Sequence, residues 1–161
     1  MQMIRKIKIP EERIPVLIGR NGSTKREIQK STNTAISVED EISIDGESVD
    51  VMAAENIVKA IGRGFPPDVA MILCKEENAL EIINLPKERK ELNRIKSRLI
   101  GTKGKSRRNI ELLTGTHISV FGKTVSIIGE YEGVRAAYNA IEKLIKGQTH
   151  KSVYKFLEES K

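Results

Sequence analysis

The 161-residue chain contains one cysteine, two histidines, no tryptophan and six other aromatic residues. A single thiol cannot close an internal disulfide, so no disulfide framework holds this fold, and a reducing compartment is expected. Cys74 itself is expected to be a core residue of a helix. His117 and His150 have no second cysteine or histidine at ligand spacing, which argues against a zinc site. No apolar run approaches the length that spans a bilayer. The first ten residues, MQMIRKIKIP, alternate basic and apolar side chains where a secretory leader would carry an apolar block. A cytoplasmic protein with no membrane partner is the expectation.

Catalytic constellations are missing too. The acidic run Glu39, Asp40 and Glu41 could suggest a metal or general acid/base site, but neither a nucleophile nor a histidine is placed beside it. Gly104-Lys105-Ser106 matches the end of a phosphate-binding loop, yet Leu99 stands where that motif needs its leading glycine, and Gly101 lies too close to replace it. No catalytic residue, metal, cofactor or small-molecule substrate is therefore expected. Hydrophobic residues at 39% and charged residues at 31% fit a globular protein, long enough for one or two small domains.

Positive charge is plentiful, and its placement is uneven. The net charge is +6. Residues 1–80 hold 11 Lys/Arg against 13 Asp/Glu, a balance of −2, whereas residues 81–161 hold 17 against 9, a balance of +8. A basic half suggests a polyanionic partner, most often nucleic acid.

A repeat is the strongest signal. VLIGRNGSTKREIQKSTNTAISV (16–38) and RLIGTKGKSRRNIELLTGTHISV (98–120) align without a gap at an offset of 82, with 11 of 23 positions identical. Each copy reads as helix, Gly-x-x-Gly turn, helix, strand. Around the first, residues 3–9 alternate as a strand, Glu11–Ile18 and Ser23–Ser31 read as helices, and Ala35–Val38 with Ile42–Ile44 form a hairpin. Asp45-Gly46 reads as a turn. Val51, Ala54, Ile57, Val58 and Ile61 mark a helix over Val49–Ile61. Gly62-Arg63-Gly64 stops that helix, and Pro66-Pro67 marks a junction. Residues 67–75 look like an inserted connecting helix. The second half then repeats the order, with strands at Leu80–Leu85, His117–Phe121 and Thr124–Ile128. Its helices are Leu92–Ile100, Lys105–Leu113 and Gly133–Ile145, with one more at His150–Glu159.

Ile-Gly-x-x-Gly between two helices, followed by a hairpin and a long helix, resembles the type I (eukaryotic-type) KH domain, and the match covers most of the chain as two copies. The resemblance implies an α+β protein of two tandem βααββα domains packed as one unit with a connecting helix. Their limits would be 1–66 and 78–148, with the connecting helix at 67–77 and a C-terminal helix at 149–161. Within the KH pattern, RNIELLTGTHISVFGKTVSIIG and the following GQTHKSVYKFLEE are similar to the twin-KH "partner of Nob" family of small-subunit assembly factors, in its archaeal branch. Family membership would imply binding to single-stranded RNA at the 3′ region of small-subunit ribosomal RNA. The implied partners are a Nob-type endonuclease and other ribosome-assembly or translation factors.

KH turns clamp the backbone of about four single-stranded nucleotides. Glycine admits that backbone without a Cβ collision, and the helix that follows presents N–H groups and a positive dipole end. The expected RNA-binding set is Gly101, Thr102, Lys103, Gly104, Lys105, Ser106, Arg107, Arg108, Arg98, Ile118 and Lys123. A basic run is more often a solvated helix face, but here it sits at the clamp itself, with no acid between Arg94 and Asn109. Gly19, Arg20, Asn21, Gly22 and Lys25 form a secondary set. Glu39, Asp40 and Glu41 stand in the first hairpin loop, where the second copy has Gly122 and Lys123. Each carboxylate there would repel phosphate by up to about 1 kcal/mol. The second domain is therefore expected to be the main reader, with the first assisting weakly or docking a protein. KH helices often place an apolar residue three positions after the second glycine; this chain has Lys25 and Arg107 there and its apolar residues at Ile28 and Ile110. Ile110, Leu113 and Ile118 could offer aliphatic surface to bases or belong to the core. A KH protein of messenger RNA or exoribonuclease complexes and a protein-interaction scaffold are the alternatives. A nuclease acting through Asp40 or Glu41 is a further rival.

Overall fold

The computed structural model describes residues 1–160. The chain divides into two compact units, Met1–Glu76 and the remainder from Glu77. In the first, β1 (Gln2–Ile7) leads through a 3-10 turn into α1 (Ile14–Ile18). A second 3-10 turn at Arg20–Gly22 precedes α2 (Ser23–Thr32), β2 (Ala35–Val38), β3 (Ile42–Glu47) and α3 (Ser48–Gly62). The unit closes with α4 (Pro67–Ala70) and a 3-10 turn, Met71–Cys74. The strands form an antiparallel sheet in the order β1-β3-β2. The second unit repeats this with β4 (Asn78–Asn84), α5 (Arg89–Ile100), α6 (Lys105–Thr114), β5 (His117–Phe121), β6 (Thr124–Glu130) and α7 (Tyr131–Ile145), and its sheet order is β4-β6-β5. It ends in α8 (His150–Glu159). No helix among the described residues is long and apolar enough to cross a membrane.

Local chemistry accounts for the elements. Proline in the first turn starts α1, and Gly19, at φ +75°, ends it. Both second helices finish on a left-handed residue, Asn33 (φ 56°) or Gly115 (φ 67°). In both, the next threonine amide bonds back to the helix, Thr34 to Gln29 O and Thr116 to Glu111 O. The long helices α3 and α7 bury Val51, Ala54, Ile57, Val58 and Ile61, and Val134, Ala137, Ala140, Ile141 and Leu144, against their sheets. Thr149 caps α8 by accepting from Ser152 N at 3.1 Å. Val153 and Leu157 of α8 then enter the core of the second unit, where the helix packs on α6 and α7.

Three expectations need correction. Asp45-Gly46 is not a turn: β3 runs to Glu47, and Met3 pairs with Gly46. Gly46 keeps a negative φ, and a Cβ there would come within 3.2 Å of Thr34, so close packing explains the glycine. Residues 67–75 are not one helix but a single helical turn followed by a 3-10 turn, and they pack on α2 and α3 of the first unit. Cys74 is exposed at the end of that turn, not buried in a helix. Desolvation of the sulfur, with Glu27 adding to it, holds the thiol above its usual range, so it stays protonated at neutral pH.

Arg13 carries a role that hydropathy does not reveal. Its Nε donates to Ile61 O at 2.7 Å and its Nη2 to Phe65 O at 2.9 Å, so it closes the end of α3. Arg13→Leu is expected to destabilise the protein by about 1.5–3 kcal/mol, the range for charged hydrogen bonds, in a urea melt. A midpoint unchanged by that substitution would remove this role.

Candidate nucleic-acid interface

The two Gly-x-x-Gly turns have nearly the same backbone. Gly19 and Gly101 lie at φ 75°, with ψ 177° and 174°. Asn21 and Lys103 are left-handed at φ 55° in both cases, and Gly22 and Gly104 follow at φ 77° and 76°. The φ/ψ combination at the first glycine is essentially reserved for glycine. Its surroundings are closed as well: a Cβ on Gly101 would lie 2.7 Å from Ser106 Cβ and N, and one on Gly19 would lie 2.3 Å from Thr24 Oγ1. Thus the turn folds tightly against the start of the helix that follows. No side chain caps that first turn in α2 or α6.

An arginine braces each turn. Arg26 Nη1 donates to Asn21 O and Arg108 Nη1 to Lys103 O, both at 2.6 Å. These bonds hold the left-handed residue in place and turn its side chain outward. Thr102, Lys103 and Lys105 are exposed, as are Arg20 and Asn21 in the first copy.

The remaining basic residues of the second unit are deployed in different ways. Lys96 Nζ donates to Gly122 O at 2.9 Å, tying α5 to the β5–β6 turn. Arg107 pairs with Glu111 at 3.0 Å, and the other oxygen of Glu111 accepts from Ile118 N at 2.8 Å, tying α6 to the edge strand β5. Gln29 makes the same bond to Ile36 N in the first unit. Arg98 faces away from β5: its Nε donates to Leu144 O at 3.3 Å and its Nη2 to Gln148 O, at the end of α7. Lys103, Lys105 and Lys123 make no ion pair among the described residues and are exposed. Lys103 and Lys105 are free positive charge at the turn itself, and Lys123 is free positive charge in the β5–β6 hairpin.

Ile110 and Ile118 are core side chains, 1% and 6% exposed, so Ile118 offers little side-chain surface to RNA. Leu113 packs half-buried against the same core. Burial of Ile28 and Ile110 fixes the helix register left open by Lys25 and Arg107: Thr24 and Ile28, like Ser106 and Ile110, face inward. Glu39, Asp40 and Glu41 are all exposed in the first hairpin loop. The bracing role of Arg26 and Arg108 does not follow from charge counting. A signal for it exists, since this is the one charged position identical in the two copies of the repeat.

Two three-stranded antiparallel sheets, each with a glycine turn between paired helices, define a tandem KH protein. Comparison with known proteins agrees. Residues 77–161 match the eukaryotic-type KH domain (KH-domain type I) of the partner-of-Nob second domain, and residues 4–60 match the general KH domain. A KH domain-containing protein of Methanocaldococcus jannaschii is 41% identical over 94% of this chain and 71% of its own length. Dim2p of Pyrococcus horikoshii is 44% identical, covers 98% of this chain and 99% of its own, and superposes with a TM-score of 0.92. A second P. horikoshii structure, an a/eIF2alpha-aDim2p-rRNA complex, matches at 42% identity over 99% of this chain and 94% of that one, with a TM-score of 0.91. The chain belongs to the twin-KH partner-of-Nob family, with the archaeal Dim2p proteins among its relatives.

Proposed function

We propose that this protein binds single-stranded RNA without cleaving it, through the second glycine turn, at the 3′ region of small-subunit ribosomal RNA during ribosome biogenesis. The observation that carries this reading is the contrast between two turns of one geometry. Around the second, Lys103, Lys105 and Lys123 are exposed and unpaired, whereas Glu39, Asp40 and Glu41 stand in the hairpin loop of the first. The backbone thus provides a clamp twice, but the first turn, with its exposed Arg20, shares its domain with a hairpin loop of three carboxylates, whereas the loop of the second domain carries Lys123 and no carboxylate. The related aDim2p, whose complex contains rRNA, supports the choice of target. Bound RNA would be kept single-stranded and its 3′ end presented to a Nob-type endonuclease. The first domain assists weakly or docks a protein, and the a/eIF2alpha in the aDim2p complex points to a translation factor as one candidate.

Fluorescence anisotropy with a short labelled strand from the 3′ end of small-subunit ribosomal RNA tests the proposal, with a shuffled strand as control and a salt series. Three phosphate-neutralising lysines predict a slope of log K against log salt of about −2, from roughly −0.7 per phosphate on single strands. Selective binding with that slope supports the reading. Equal affinity for the shuffled strand overturns the ribosomal target, and no binding overturns RNA recognition in favour of a protein scaffold.

A further inference from the structure

Behind the second turn lies a cleft of about 420 Å³, walled by the end of α5, the turn itself, the start of α6 and the N-terminal half of α8. No residue of β5 lines it. Lys96 reaches from α5 to the β5–β6 turn and Glu111 from α6 to β5, whereas Arg98, on the cleft wall, reaches the end of α7.

The lining brings a buried hydroxyl, a cation and two rings to one cleft. Ser106 is 2% exposed, lines the cleft, and its hydroxyl has no hydrogen-bond partner among the described residues. A buried hydroxyl left unpaired is costly and rare in folded proteins. Beside it stand the exposed ammonium of Lys105 and the hydroxyl of Thr102. From α8 come two rings, His150 and Tyr154, with centroids 6.1 Å apart and planes tilted by 50°. His150 Nε2 bonds Arg98 O at 2.9 Å, which orients the ring and leaves Nδ1 as its remaining polar atom.

The first copy of the repeat is an internal control. Its turn has the same backbone, and its closing 3-10 turn packs on α2 and α3 as α8 packs on α6 and α7. Yet the position equivalent to Lys105 is Ser23, and beyond the hairpin, where the second copy is one residue longer, those equivalent to His150 and Tyr154 are Pro67 and Met71. The fold of the turn therefore does not require the cation or the two rings.

We propose that this cleft holds one nucleotide of the RNA strand beyond those clamped by the turn, its phosphate on Lys105 and Thr102 and its base against Tyr154 and His150. The inference rests on the RNA-binding reading above. Gly101 and Thr102 belong both to the clamp and to the rim of the cleft, so a strand continuing past the turn enters it without a break. Aromatic faces accept any base, so this subsite adds affinity with little sequence preference.

The experiment compares a four-nucleotide strand with a longer one of the same core sequence, on the wild type and on His150→Gln/Tyr154→Leu. The wild type is expected to bind the longer strand about tenfold more tightly, the size of one base–aromatic stack. The variant should lose that gain and keep its affinity for the four-nucleotide strand. Equal weakening on both strands, or on neither, overturns the cleft while leaving the clamp intact. No wild-type binding to either strand overturns the function itself. Should the variant fold poorly, the imidazole resonances of the wild type report independently, because the chain has only two histidines. Those of His150 should shift on adding the longer strand and not the shorter one. A shift produced equally by a free nucleoside monophosphate would overturn the proposal in favour of a small-molecule site.

Discussion

Thr102→Asp/Lys103→Asp is expected to weaken RNA binding by about one to two orders of magnitude while leaving the fold intact. Both side chains are exposed at the outer bend of the second turn, and neither takes part in its bracing bond, which uses the carbonyl of Lys103. Aspartate is among the few residues that tolerate the left-handed backbone at position 103, where φ is 55°. The pair of substitutions changes local charge by three units. Exposed charges close to a phosphate contribute from a few tenths to about 1 kcal/mol each at ordinary salt, so three units contribute about 1–3 kcal/mol, or roughly five- to a hundredfold. The same change in the first turn, Arg20→Asp/Asn21→Asp, should cost less than about threefold. Its hairpin loop already carries three carboxylates, and little phosphate binding is left there to lose. Anisotropy titrations of both variants, with thermal melts as folding controls, decide the matter. Equal losses from the two turns would contradict the assignment of the second domain as reader.

Much of this was legible in the sequence because the repeat doubles each signal. Glycines with the same spacing, helices with the same apolar stripe and hairpins at the same offset gave the element order of both units. The short strand Ala35–Val38 and the final helix His150–Glu159 have the bounds that periodicity and end signals indicate. What failed was context. Asp45-Gly46 carries turn chemistry but lies in the central strand β3, where pairing with β1 prevails over local preference. Helix α5 begins at Arg89, three residues before its first apolar position, because Glu88 accepts from Lys90 N and starts a polar turn that hydrophobic periodicity cannot see.

The site shows the same division. Composition located the basic turn, but counting arginines could not separate those bonded to the protein itself from side chains with no such bond. Arg98, Arg107 and Arg108 all bond to the protein itself, and only distances distinguish them from Lys103 and Lys105. The cleft behind the turn joins residues some fifty positions apart, and no local motif announces it.

The two glycines of the second turn are expected to fail in different ways. Gly101→Ala should destabilise the second unit by about 4 kcal/mol. Its φ of +75° with an extended ψ costs an alanine about 1–3 kcal/mol. A methyl group there also lies 2.7 Å from the Cβ and backbone nitrogen of Ser106, and such overpacking against a helix adds another 1–3 kcal/mol. For a unit of this size the loss corresponds to roughly 20 °C in Tm. Gly104→Ala is milder, because a methyl group at Gly104 meets side-chain atoms only, chiefly the Arg108 Nη1 that braces the turn, at 2.9 Å, so that bond must shift, and the backbone is ordinary left-handed, worth about 1 kcal/mol. Gly115→Ala, left-handed with nothing within 4 Å, measures that backbone cost alone. The order of melting should therefore be Gly101→Ala well below Gly104→Ala, with Gly115→Ala near the latter. RNA affinity of the variants that remain folded should follow a different order. Gly104→Ala displaces the Arg108 guanidinium that braces the turn an approaching phosphate must reach, whereas Gly115→Ala lies at the far end of α6 and leaves binding unchanged. If Gly101→Ala melted with the other two, the closeness of the turn to Ser106 would not be what fixes its shape. If Gly104→Ala bound RNA as the wild type does, the second glycine would serve folding alone.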